Sequence, residues 1–149
     1  MKFPPYTKFL ILIQDKLLGI KKVAGVEVIL ASAKEMEYNY VILSLDKGII
    51  SIENQQIGLK NTEELRDRIP DNIPISLVIN GRGLLIKKIP GKMIKEKEII
   101  HALLPNAKAE DFYFQTTSAY QGNFTSIARK DLIDDLLISL KQAGYYVIT

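Results

Sequence analysis

The run Val23-Ala24-Gly25-Val26-Glu27-Val28-Ile29-Leu30-Ala31-Ser32-Ala33, continued by Tyr38-Asn39-Tyr40-Val41-Ile42-Leu43-Ser44-Leu45 and by Ile49-Ile50-Ser51-Ile52-Glu53, decides the fold class of this chain. Its first part is rich in β-branched residues and bounded by lysines, so it reads as a strand buried on much of both faces. Glu35-Met36-Glu37 turns the chain into the second run. Asp46-Lys47-Gly48 forms a tight turn, with glycine where the backbone needs a positive φ. In the third run Ile50 and Ile52 share one face. Strands joined by such short turns build an antiparallel meander.

Downstream the period changes. Asn61 is placed to cap a short helix, Glu64 completes a capping-box-like pair, and the helix stops before Pro70. Ile73 to Ile79 is almost wholly apolar, the composition of a central, covered strand. Asn80-Gly81-Arg82-Gly83 reads as a hairpin turn into Leu84 to Ile89. A second helix covers Glu96 to Leu104, with Ile99, Ile100, Leu103 and Leu104 on one side and Pro105 ending it. Phe112 to Tyr120 and Phe124 to Ala128 form a hairpin across Gln121-Gly122-Asn123. The last helix carries Leu132, Ile133, Leu136, Leu137 and Leu140 as one apolar stripe. Asp131, Asp134 and Asp135 sit toward its positive end, Lys141 near its negative end, and Gly144 just beyond it. Tyr145 to Thr149 begins a further strand, which fits either the last strand of a complete sheet or a junction to more protein. Upstream, Thr7 to Ile20 is too continuously apolar to show a period, and a short helix ending near Gly19 is expected there.

A length of 149 residues suits one domain with a real core. The expected organisation is a single domain over 1–149, with a helical or extended lead-in at 1–22 and an inserted helix plus hairpin at 90–128. Hydrophobic residues make up 47% and charged residues 25%, which excludes a disordered or fibrous chain. The longest unbroken apolar run, Phe9 to Ile13, is far short of the roughly 20 residues of a membrane helix, so no span is expected. The N-terminus lacks a small-residue cleavage site and does not read as a secretory signal. With no cysteine the chain has neither disulfides nor thiolate metal sites, which suits a reducing compartment. The net charge is +3, and lysines stand singly, in pairs or beside glutamates, as in Lys95-Glu96-Lys97-Glu98. That is a solvated surface rather than a stripe for nucleic acid.

No self-sufficient catalytic constellation stands out. His101 is the one histidine, inside an amphipathic helix, with no second imidazole or thiol to share a metal. No serine sits in a G-x-S-x-G elbow, and there is no Walker lysine motif. Gly81-Arg82-Gly83 is followed by Ile86 where a dinucleotide loop needs glycine. Glu27 needs an account, because a carboxylate amid a valine-rich strand must be paired, protonated or exposed. It is either a phosphate- or metal-directed acid or a residue on the exposed face of a half-covered strand, and no second strand acid clearly partners it. Tyr38, Tyr40, Phe112, Tyr113, Phe114 and Tyr120 alternate as packing residues do, although aromatics can also stack on bases.

A meander followed by α/β crossovers is the layout of the ribonuclease H-like fold, the building block of actin-like ATPases. On three segments the chain resembles the first half of the actin-like cytoplasmic domain shared by type IV pilus assembly M proteins and type II secretion L proteins. Val23-Ala24-Gly25-Val26-Glu27-Val28 is similar to the family's first strand. Ile79 to Pro90 is similar to its strand–turn–strand ending in a hydrophobic-Pro pair. Ser126-Ile127-Ala128-Arg129-Lys130-Asp131, with Lys141-Gln142-Ala143-Gly144, is similar to its "Ala-Arg-Lys … Ala-Gly" helix. The resemblance runs from about Val23 to Thr149.

The resemblance implies a ribonuclease H-like mixed sheet and a chain that is part of a longer protein. It also implies a non-catalytic cytoplasmic scaffold at the inner face of the inner membrane. Such a scaffold binds protein partners, the secretion ATPase and sibling inner-membrane subunits among them, and needs no cofactor. Where a pilus M protein would place aspartate and then Gly-Ser/Thr, this chain has Glu27, Val28 and Ile29, so the glycine and the hydroxyl are missing. The alternative implied is the nucleotide-binding half of an actin-like or sugar-kinase-like ATPase, with Glu27 toward ATP and Mg²⁺. A ribonuclease H-like nuclease comes third, for want of an acidic cluster.

Overall fold

The structure is a computed structural model and describes residues 19–32, 35–89, 96–120 and 122–148. The expected lead-in helix falls largely on residues 1–18 and so lies outside the described residues, as do Gln121 of the hairpin turn and Thr149. Strands β1 (Lys22–Leu30), β2 (Met36–Asp46) and β3 (Ile49–Leu59) form the expected meander. Lys47 (φ 48°) and Gly48 (φ 81°) make its second turn, which matches the right-handed twist of the strands it joins. Helix α1 (Thr62–Arg66) follows, then β4 (Ile75–Gly81), β5 (Leu84–Ile89), α2 (Glu96–Leu103), β6 (Phe112–Ala119), β7 (Gly122–Arg129), α3 (Lys130–Gln142) and β8 (Val147–Ile148).

Five strands form one sheet in the order β3-β2-β1-β4-β8, and three form another in the order β5-β7-β6. In the larger sheet β1 is antiparallel to β2 and parallel to β4, and β4 is parallel to β8. An antiparallel meander continued by parallel strands on the far side of β1 is the ribonuclease H-like layout of actin-like proteins.

The core lies on one face of this sheet. Ala24, Val26, Val28 and Leu30 of β1, Tyr38, Tyr40 and Ile42 of β2, and Ile75 of β4 are all buried there. They cluster with Leu65 of α1, Ile69 just after it, Leu136 and Leu140 of α3, and Tyr145. The helix ends follow their sequence signals. Asn61 accepts from the Glu64 N–H at 2.8 Å, while Glu64 accepts from the Lys60 N–H at 3.0 Å, a capping box shifted by one residue. At the end of α3 the Tyr145 N–H donates to the Leu140 carbonyl and the Gly144 N–H to the Lys141 carbonyl. With Gly144 at φ 94°, this is a Schellman motif, which turns the chain directly into β8.

Two expectations are corrected. Among the described residues β1 and β4 are fully buried on one face only: buried and half-buried positions alternate along β1, and Val78 of β4 is 58% exposed. Continuous apolar composition overstated the cover, because a central strand needs β-branched residues for its neighbours as well as for a core. Nor do Gly81-Arg82-Gly83 close a hairpin. β5 leaves the larger sheet and pairs with β7 from Leu84↔Ala128 to Ile89↔Asn123, so the turn is a passage between sheets. The smaller sheet packs Ile89 and Ile127 against Ile99 and Ile100 of α2. Tyr113 ties it to α3 by donating to Asp134 at 2.9 Å, with the Lys130 ammonium 5.4 Å from its ring centre. Among the described residues no helix is long and apolar enough to cross a membrane.

Candidate functional site

Alternation along β1 sends Val26 and Val28 into the core and Glu27 to the opposite, open face. The register puts Asn39 directly across from it on β2 and Val78 across on β4. Asn39 Nδ2 donates to Glu27 Oε2 at 2.9 Å, and Asn80 Nδ2 lies 3.5 Å from Oε1, at the limit of a hydrogen bond. Both amides are themselves fixed. Asn39 Oδ1 accepts from the Gly58 N–H at 2.9 Å, and Asn80 Oδ1 from the Gly81 N–H at 2.8 Å. The half-exposed carboxylate is thus held by neutral donors, and among the described residues no cation pairs with it.

The sequence flagged Glu27 but neither amide. The available signal was the polar residue in Tyr38-Asn39-Tyr40, where alternation puts it on the face away from the buried tyrosines. Asn80 read as a turn residue, and only the parallel pairing of β1 with β4 brings it beside Glu27.

Where β1 and β4 end, the backbones touch. A Cβ on Gly81 would lie 2.4 Å from the Leu30 carbonyl oxygen, and that same carbonyl accepts from the Arg82 N–H at 2.8 Å. Glycine is required here twice over, for close approach and for a φ of 100°. Beyond the turn lies a cleft of about 450 Å³, lined by Ser32, Arg82, Gly83, Arg129, Asp131 and Leu132 and bounded by Asp135. The carboxyl ends of strands in open α/β sheets are the usual place for a ligand crevice. Here much of the charge is already matched. Arg129 grips Asp131 through Nε at 3.0 Å and again through Nη2, and Asp131 also accepts from the Leu132 N–H at 2.8 Å. Those bonds hold the Asp131 carboxyl below the usual carboxylate range and push the Arg129 guanidinium up.

Val28 is buried and Ile29 half-buried, so the two positions after Glu27 present β-branched side chains. Among the described residues no group of three His, Asp or Glu side chains is arranged to hold a metal. His101 lies exposed on α2. The aromatics divide as packing predicts: Tyr38 and Tyr40 are core, while Tyr113 and Tyr120 are exposed.

No protein-family model matches the chain, and no curated protein sequence matches it. Solved structures do. One is a Bacteroides thetaiotaomicron protein of unknown function with an actin-like ATPase fold, at TM-score 0.43 and 10% identity, covering 98% of this chain and 55% of that one. Another is the cytoplasmic domain of EpsL, an inner-membrane component of the type II secretion system of Vibrio cholerae, at TM-score 0.59 and 16% identity. That match covers 84% of this chain and 55% of the other, so this chain spans about half the length of either protein. The five strands ordered β3-β2-β1-β4-β8, with a smaller antiparallel sheet beside them, thus make a fold similar to that of about half of the EpsL cytoplasmic domain.

Proposed function

We propose that this domain is a non-catalytic scaffold of a type II secretion or type IV pilus assembly platform. In this reading it is one ribonuclease H-like unit of a longer protein, held on the cytoplasmic side of the inner membrane. It binds protein partners, the secretion ATPase and sibling inner-membrane subunits, through sheet edges or through the smaller sheet and its helix. The observation that carries the reading is the state of Glu27: its oxygens are taken up by Asn39 and Asn80. The flanking Val28 and Ile29 offer neither the glycine nor the hydroxyl that close backbone approach to phosphate requires. The likeness to EpsL supports the secretion setting.

Calorimetric titration with ATP and Mg²⁺ tests the non-catalytic part, with no heat of binding expected. Heat that disappears in Glu27→Ala would overturn it in favour of a nucleotide-binding half. Tagged protein recovered from its own host, with its companions identified by mass, tests the scaffold part. Platform subunits or the secretion ATPase are expected in stoichiometric yield, and their absence sinks the assignment.

A further inference from the structure

The edge strand β3 confines the devices that keep edges apart to its far part: from Ile49 to Ile52 it carries no charge, proline or bulge. Soluble proteins blunt strand edges with charge, proline, bulges, shortness or cover. β3 is 11 residues long and, among the described residues, pairs only with β2. Ile49 (70%), Ile50 (57%), Ile52 (61%) and Ile57 (79%) are all exposed on it. Its one charged side chain, Glu53, is held by Lys22 at 2.8 Å. The register with β2 slips between Ile42 and Leu43 and between Tyr38 and Tyr40, so the regular part of the edge is the ladder from Asp46↔Ile49 to Leu43↔Ile52.

Within that part Ile50-Ser51-Ile52 reads the same in both directions. Two copies set antiparallel with Ser51 on a twofold axis bring Ile50 of each opposite Ile52 of the other, on one face. Behind them Leu45 stands across from Ile50 and Leu43 across from Ile52. Each copy therefore contributes the same four apolar side chains to one continuous patch of β-branched and leucine pairs. Ile49 comes opposite Glu53, whose charge Lys22 already matches, so no like charges face each other.

We propose that β3 is the pairing edge of a homodimer, in which a second copy adds its Ile49–Glu53 segment antiparallel and joins the two five-stranded sheets into one. One strand edge and its isoleucines fall well below the roughly 800 Å² per partner of a standard stable interface. The dimer is accordingly reversible and concentration-dependent. This pairing does not rest on the secretion reading.

The absence of cysteine makes single cysteines clean reporters. Ser51→Cys puts two thiols at the axis, where opposed Cβ atoms lie about 4.5–5.5 Å apart, close to disulfide reach. Ile57→Cys puts them about 40 Å apart. Under mild oxidation Ser51→Cys is expected to cross-link at least about tenfold faster than Ile57→Cys. Sedimentation of the unmodified chain should show a monomer–dimer equilibrium that Ile52→Lys weakens about tenfold or more. Tyr120→Lys, at the fully exposed tip of the other sheet's hairpin, should leave it unchanged. A chain that stays monomeric up to about 1 mM overturns the proposal. So does Ser51→Cys cross-linking no faster than Ile57→Cys, or Ile52→Lys dimerising as well as the unmodified chain.

Discussion

The two faces of the five-stranded sheet are built from the same strands, one residue apart, and they follow different rules. On the covered face Ala24, Val26, Val28 and Leu30 are at most 2% exposed and belong to one core cluster with Leu65, Leu136, Leu140 and the β2 tyrosines. On the open face the same strand shows Val23, Gly25, Glu27 and Ile29, none of them buried, with Glu27 tied sideways to neighbouring strands. Burial decides the first face, and cross-strand hydrogen bonding decides the second. The contrast explains why a carboxylate is tolerated between two valines: it never enters the core, and its donors are built into the adjacent strands.

The largest effect expected from breaking this division is Val28→Asp, which would place an unpaired carboxylate in the core. It should cost about 4 kcal/mol or more in urea unfolding and in practice abolish the cooperative transition. Gly81→Ala comes next, since the new methyl would meet the Leu30 carbonyl and the φ of 100° disfavours any side chain. A loss of about 2–4 kcal/mol is expected by the same measurement, and a loss under about 0.5 kcal/mol would show that the two strand ends can part.

Tyr145 tests the covered face through pH. Burial, reinforced by the nearby Asp71 carboxylate, pushes its hydroxyl up to about 12. The folded state therefore holds this proton more tightly than the unfolded one, whose hydroxyl titrates near 10. Its contribution to stability is full below pH about 10 and is lost as pH rises toward about 12. Unfolding free energies measured across that window should fall less steeply in Tyr145→Phe, by about 1–2 kcal/mol in total. At neutral pH the same variant should be no less stable, because the buried hydroxyl has no partner among the described residues. The smallest effect is expected for Val78→Lys on the open face, within about 0.5 kcal/mol of the unmodified protein. A large loss there would mean that this face is covered after all.

Local signals in the sequence hold where the physics is local. The Lys47-Gly48 turn, the Asn61 cap and the Gly144 stop each depend on residues within a few positions of one another, and each forms as expected. The meander and the α3 stripe followed from periodicity, which burial enforces. The hairpin expected at Gly81-Arg82-Gly83 failed because glycine announces only a change of direction, not which sheet the next strand joins. At the candidate site Glu27 was legible as an oddity in its strand, while Asn39 and Asn80 were not.

The sequence alone therefore determined the order and type of the elements among the described residues, the local turns and caps, and the apolar stripe of α3. Only the tertiary structure decided what lies beside Glu27, that β4 runs parallel to β1, that β5 belongs to a second sheet, and that β3, among the described residues, is an edge strand. The reason is one of range. Turns, caps and alternation are set by neighbours in the chain, whereas strand pairing brings together residues as far apart as Glu27 and Asn80, and no local preference encodes that choice.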